Sequence, residues 1–293
     1  MPRFTIDKPA ANTGTVLPGR ASGRFQCLLV VGALFRSLGW VVFLGMGLVA
    51  ATGAEESNWR IEKSKHFLVH YMADAEEAKD VATRSERYYD AIAADLGFTR
   101  YGNFWLWERR VKILIYPTAE AFATACQAPV WAAGRANATR HEIAGYHQGG
   151  KGFVEGILPH EIAHLILNDF VGSDRLPLWV SEGFAQWEQF GRDSGAFDHG
   201  VQAAGRLPFT EWANFNVRRE PDREIAERYY RQSASVVGFL IATFGGERFG
   251  RFCRALRDGK ITDRALESAY PDHVPGLAQL EAAWVKYVEG VKK

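Results

Sequence analysis

The 293 residues are 47% hydrophobic and 24% charged, a balance that buries a sizeable core and excludes a disordered, collagenous or disulfide-stapled chain. The formal charge of +1 is unevenly divided: residues 1–54 hold five Lys/Arg and one Asp, leaving 30 basic and 33 acidic residues beyond, a formal −3. That remainder contains no Lys/Arg cluster able to neutralise phosphates, so no nucleic-acid partner is expected.

Residues 1–54 read as a targeting segment. A basic stretch runs to Arg36, the apolar run Ser37 to Ala54 follows, and Glu55-Glu56 closes it. Positive charge before and negative charge after the run predicts a cytoplasmic N-terminus. Thr52-Gly53-Ala54 supplies the small residues that a signal peptidase requires, whereas residues 28–54 counted as one span form a membrane anchor interrupted by Arg36. Both readings export residues 55–293 to a periplasmic or extracellular space, either released or attached to a membrane. A buried hairpin is the alternative. Beyond this segment only Cys126 and Cys253 remain, in no metal or redox spacing. They form one disulfide or stay as two thiols.

Residues 55–293 are expected to form an α+β fold of one catalytic unit. An N-terminal lobe over about 57–172 holds a small mixed sheet with helices, and an all-helical lobe spans about 173–293. In chain order, His66 to Met72 is a strand, Ala73 to Leu96 a helix and Val111 to Tyr116 a strand. A short helix runs from Thr118 to about Cys126. Gly134 to Arg140 is polar, His141 to His147 alternates as an edge strand, and Gln148 to Gly152 is a Gly-rich turn. Helices follow over His160 to Phe170 and Leu178 to Phe190, each with Pro at or just before its start. Further helices are expected over Arg223 to Phe244, Gly246 to Arg257, Thr262 to Ala269 and Gly276 to Val291.

The chemistry concentrates in His160-Glu161-Ile162-Ala163-His164. On a helix, residues four apart lie about 40° from one another on one face, so both imidazoles reach one ion. Glu161 stands at the rim of that face, within reach of a water rather than of the ion. Such a string arises by chance in roughly one or two of a hundred chains of this size, so its context decides. Ile162, Ala163, Leu165 and Ile166 give the helix an apolar face. A catalytic zinc needs a third protein ligand and an open position, and Glu182 follows His164 by eighteen residues within LWVSEGFAQ. A carboxylate among large apolar side chains requires a cation. The competing reading, a surface or hydrogen-bonded His pair with Glu182 favoured by a helix start, does not account for that apolar setting.

From about Trp59 onward, with LPHEIAH at 158–164, LPLWVSEGFAQ at 176–186, YRQSASVVGFLIATFG at 230–245, TDRALESAY and AAWVKY, the chain resembles the peptidase MA-like branch of the gluzincins, relatives of thermolysin and aminopeptidase N. The resemblance implies zinc held by His160, His164 and Glu182, with Glu161 as general base and proton shuttle in peptide-bond hydrolysis. It also implies an oxyanion donor from the helical lobe, assigned to Tyr230 at the head of YRQSASVV, with Tyr229 facing elsewhere. An upstream edge strand would pair with an extended peptide or protein substrate, and His141 to His147 is the candidate, with His141, Ile143 and Gly145 meeting the chain.

Two departures stand out. Gln186 replaces the acidic residue that thermolysin-like enzymes place four positions after the ligand Glu, and the block with which aminopeptidase N relatives hold a free amine is missing, which favours an endopeptidase. The alternatives are an inactive binding or scaffold protein that keeps the fold, and a hydrolase of a non-peptide amide. His66, His70, His199 and His273 have no ligand spacing, and Trp105, Trp107, Trp131, Trp179 and Trp187 read as core or pocket wall.

Overall fold

Three strands with period-two apolar alternation and two polar ones recruited beside them form the five-stranded sheet of the first half of the molecule. The computed structural model describes residues 58–97, 105–128, 134–147, 152–190 and 205–290, with positions 132, 197, 198 and 201. Residues 1–54, expected to be a targeting segment, residues 148–151 of the Gly-rich turn, Trp131, His199 and the side chain of Trp107 lie outside the described residues. No helix among the described residues is long and apolar enough to cross a membrane.

The strands are β1 (Arg60–Lys63), β2 (Phe67–Tyr71), β3 (Val111–Tyr116), β4 (Gly134–Asn137) and β5 (Glu142–Tyr146), in the spatial order β1-β2-β3-β5-β4. The pairs β2/β3 and β3/β5 are parallel, while β1/β2 and β4/β5 are antiparallel. Phe67, Val69, Val111, Ile113, Ile115 and Ile143 line one face and join the main core. On the other face Leu114, Tyr116, Ala144 and Tyr146 meet Phe122 of helix α2 (Ala119–Cys126). Helix α1 (Ala75–Asp95) starts at Asp74, whose carboxylate accepts the Glu76 and Glu77 backbone N–H groups and satisfies donors the helix cannot.

The expected edge strand is corrected here. β5 pairs with β3 on one side, Ile113 opposite Ile143, and with β4 on the other, Ala136 opposite Ile143. It is therefore interior, and its ladder groups are already taken. The sheet edge on this side belongs to β4, whose sequence Gly-Arg-Ala-Asn lacks the alternation that announces a strand. β1 was hidden for the same reason, its Arg-Ile-Glu-Lys being polar and largely exposed.

The second half is helical: α3 (Leu158–Val171), α4 (Leu178–Gln189), α5 (Arg223–Phe244), α6 (Gly246–Arg257), α7 (Thr262–Ala269) and α8 (Leu277–Gly290). A helical turn at Phe209–Trp212 precedes α5. The α+β expectation holds, and one continuous cluster of buried side chains extends from Phe67 in the sheet to Val288 in α8. Cys126 and Cys253 are both free thiols.

Candidate metal centre

Helix α3 is buried along its working length: every residue from Leu158 to Leu167 is enclosed. A π-helical turn, Gly152–Ile157, feeds into it, and its Phe153 ring lies where a Cβ on Gly145 of β5 would stand. A larger residue at 145 would push this turn away from the sheet. The start of α3 is thus pinned against β4 and β5 with His160, Glu161 and His164 facing inward.

Helix α4 is pressed against α5 through Gly183. A Cβ there would run into the backbone carbonyl of Ser233 and the side chain of Val237, so only glycine permits this approach. The adjacent Glu182 is thereby carried, fully buried, to the pair of imidazoles.

The ligand atoms of His160, His164 and Glu182 all lie within 4.8 Å of one another. His160 Nε2 is 3.1 Å from His164 Nε2, and Glu182 Oε2 is 3.5 Å from His164 Nε2. Donors at 2.0–2.1 Å around a tetrahedral zinc stand roughly 3.3 Å apart, so this set fits one such ion. Glu182 Oε2 is buried without a hydrogen bond, an arrangement that costs stability unless a cation is there to meet it.

The partners of these side chains were not foreseen. His164 Nδ1 lies 3.0 Å from Ser181 Oγ, which takes the orienting role sought from an acidic residue at 186. Ser181 neighbours Glu182 in the sequence, and that adjacency was its only signal. Arg218 Nη2 lies 3.3 Å from Glu182 Oε1. It comes from the short turn Val217–Arg219, which carries no recognisable pattern.

Burial dominates the electrostatics. It pulls His160 down to about 3, assisted by His164 and opposed by Glu182, Gln189 and the Ala185 backbone. An imidazole so disposed is neutral, the form that binds metals. Burial also pushes Glu161 up to about 7; Glu182 adds to this, while His164, the Ala136 backbone and Arg135 oppose it. Both Glu161 oxygens are buried and make no well-formed hydrogen bond among the described residues, the Ala136 backbone N–H approaching only loosely. A carboxyl near 7 takes and returns a proton at neutral pH with little bias. In Glu182 the rise caused by burial is outweighed by His164, His160 and Arg218, which hold it below the usual carboxylate range.

Tyr229 is fully buried beside Trp212 and Phe215, while Tyr230 is only partly enclosed. Burial raises both phenols, with Glu182 adding in each case, so both hydroxyls sense the same ligand. The proposed substrate positions are not brought to the site. Ile143 is a core residue, Gly145 supports Phe153, and His141, at φ 51°, pairs with Asp169 at 3.0 Å. His147 is bonded to Glu77 at 2.7 Å. Trp105, Trp179 and Trp187 are buried in the core as expected.

The family model of the Peptidase MA superfamily matches residues 106–289, from just before β3 into α8. No curated protein matches the chain.

Proposed function

The chain belongs to the peptidase MA superfamily, and we propose that it is a zinc endopeptidase of the gluzincin type, relatives of thermolysin and aminopeptidase N, acting on peptides or proteins outside the cytoplasm. The observation that carries this reading is the convergence of three buried candidate ligand atoms within 4.8 Å of one another, next to a buried carboxyl that makes no well-formed hydrogen bond among the described residues.

His160, His164 and Glu182 would hold the zinc, which when bound supplies a Lewis acid for the scissile carbonyl and an acidified water. Glu161 then takes a proton from the attacking water and hands it to the departing amine. Tyr230 donates a hydrogen bond to the oxygen on which negative charge develops. The edge of β4 replaces β5 as the strand that receives an extended substrate. The influence of Ala136 and Arg135 on Glu161 supports that assignment, because it puts this edge beside the base. Residues 1–54 would direct the catalytic unit 55–293 across the membrane, as a cleaved signal or as an anchor.

The test uses the full chain. Metal analysis is expected to find one zinc per chain, and cleavage of a peptide library is expected to stop on chelation. Glu161→Gln should keep the zinc and lose about 10²–10⁴-fold in rate. A protein that binds zinc stoichiometrically yet cleaves no library member is instead a scaffold that has kept the fold.

A further inference from the structure

Arg218 brings a permanent positive charge to a site whose chemistry does not call for one. Its Nη2 reaches the fully buried Glu182, yet 32% of the Arg218 side chain is exposed, so the guanidinium spans from solvent to a ligand carboxylate. Glu182 divides its two oxygens: Oε1 is met by Arg218, and Oε2 faces His164 at 3.5 Å. Among the described residues the rest of the Arg218 fork has no hydrogen-bond partner. A guanidinium carries five N–H donors in one plane, enough to hold one carboxylate and offer an edge to another.

The charge balance points the same way. Arg218 is a fixed positive charge placed directly on the Glu182 carboxylate, and a guanidinium keeps that charge at any pH the protein meets. A second guanidinium, that of Arg135 in β4, lies within electrostatic reach of Glu161 while donating to the Cys126 carbonyl. Arg218 also draws the phenols of Tyr229 and Tyr230 downward, against the burial that raises them, so it stands near the proposed oxyanion donor. A partly desolvated cation beside a reacting centre favours a substrate that brings an anion to it.

We propose that Arg218 reads a carboxylate on the substrate close to the scissile bond, so that the preferred substrates are peptides carrying an anionic group there. The carboxylate is either that of the peptide's own C-terminus or that of an acidic side chain. This rests on the zinc-peptidase reading above.

The test measures peptide binding by calorimetry to the full chain carrying Glu161→Gln, loaded with zinc, so that hydrolysis is slowed about 10²–10⁴-fold during the titration. The probes are an alanine- and leucine-based hexapeptide with a free C-terminal carboxylate, the same peptide as its carboxamide, and the carboxamide with one internal glutamate. One of the two carboxylate-bearing probes is expected to bind about tenfold or more tightly than the plain carboxamide, and which one identifies the source. Adding Arg218→Met should collapse that ratio to within about twofold of one, and Arg218→Lys should restore part of it. Equal affinities for all three probes overturn the inference. So does a preference that survives Arg218→Met, including the case where that variant only weakens zinc binding in a chelator competition, which would make Arg218 a positioning residue for Glu182. Failure of the peptidase reading is seen separately, in the wild-type chain, as absence of zinc or as zinc bound with no library peptide cleaved.

Discussion

Ser181 Oγ stands 3.0 Å from His164 Nδ1, while the next residue, Glu182, brings Oε2 to within 3.5 Å of the same ring at Nε2. Two successive residues of α4 thus address both nitrogens of one imidazole. A proton on Nδ1 donated to Ser181 leaves the Nε2 lone pair facing the site. Ser181→Ala is therefore expected to weaken zinc binding by about 10–100-fold in a chelator competition, with Ser181→Thr close to wild type. An unchanged affinity would mean that the imidazole is oriented by packing alone.

The two adjacent tyrosines should separate cleanly. Tyr230→Phe is expected to lower kcat by about 10²–10³-fold with zinc content and KM little altered. The Tyr229 hydroxyl is buried and makes no well-formed hydrogen bond among the described residues, Ser233 approaching it only loosely, so Tyr229→Phe removes a desolvated polar group and should leave thermal stability unchanged or raised. Loss of kcat in Tyr229→Phe rather than Tyr230→Phe would transfer the oxyanion role between them.

Gly183 sets the distance between α4 and α5. Gly183→Ala is expected to cost about 1–3 kcal/mol by forcing the helices apart at Ser233. The thermal midpoint should fall by about 2–12 °C. Zinc affinity should fall with it, because Glu182 moves with the helix. A stable variant with normal zinc binding would show that the crossing relaxes freely.

The His141–Asp169 pair ties the β4–β5 turn to the end of α3, and Trp105 donates to the same carboxylate at 2.6 Å. The hydrogen bond to Asp169 raises the His141 pKa above its ordinary 6.5, although burial opposes it. A raised folded-state value means that the stabilisation is fully present below about pH 6.5 and is lost as pH climbs through the folded-state pKa. Thermal midpoints of wild type and His141→Gln should therefore converge as pH rises from about 6.5 into the mildly alkaline range. A constant gap across that range would assign the effect to packing.

Regular periodicity was a reliable guide. The six-residue alternation of β3 and the apolar face of α5 appear at the bounds their sequences announce, Val111–Tyr116 and Arg223–Phe244. β1 and β4 escaped notice because four mostly polar residues carry no period, and they become strands only through the neighbour they pair with. The assignment of β5 as an edge failed for a related reason. Alternation reports which face of a strand is buried and says nothing of whether its ladder groups are occupied.

The composition of HEIAH and its distance to Glu182 sufficed to nominate the candidate metal ligands, because a helix fixes the angle between residues four apart and a buried carboxylate demands a cation. Which side chains steady those ligands was decided only in three dimensions. Ser181, Arg218 and the β4 edge reach the site through a helix crossing, an irregular turn and a strand pairing. None of these leaves a local signature, since each is a contact between segments distant along the chain and is chosen by packing rather than by any spacing in the sequence.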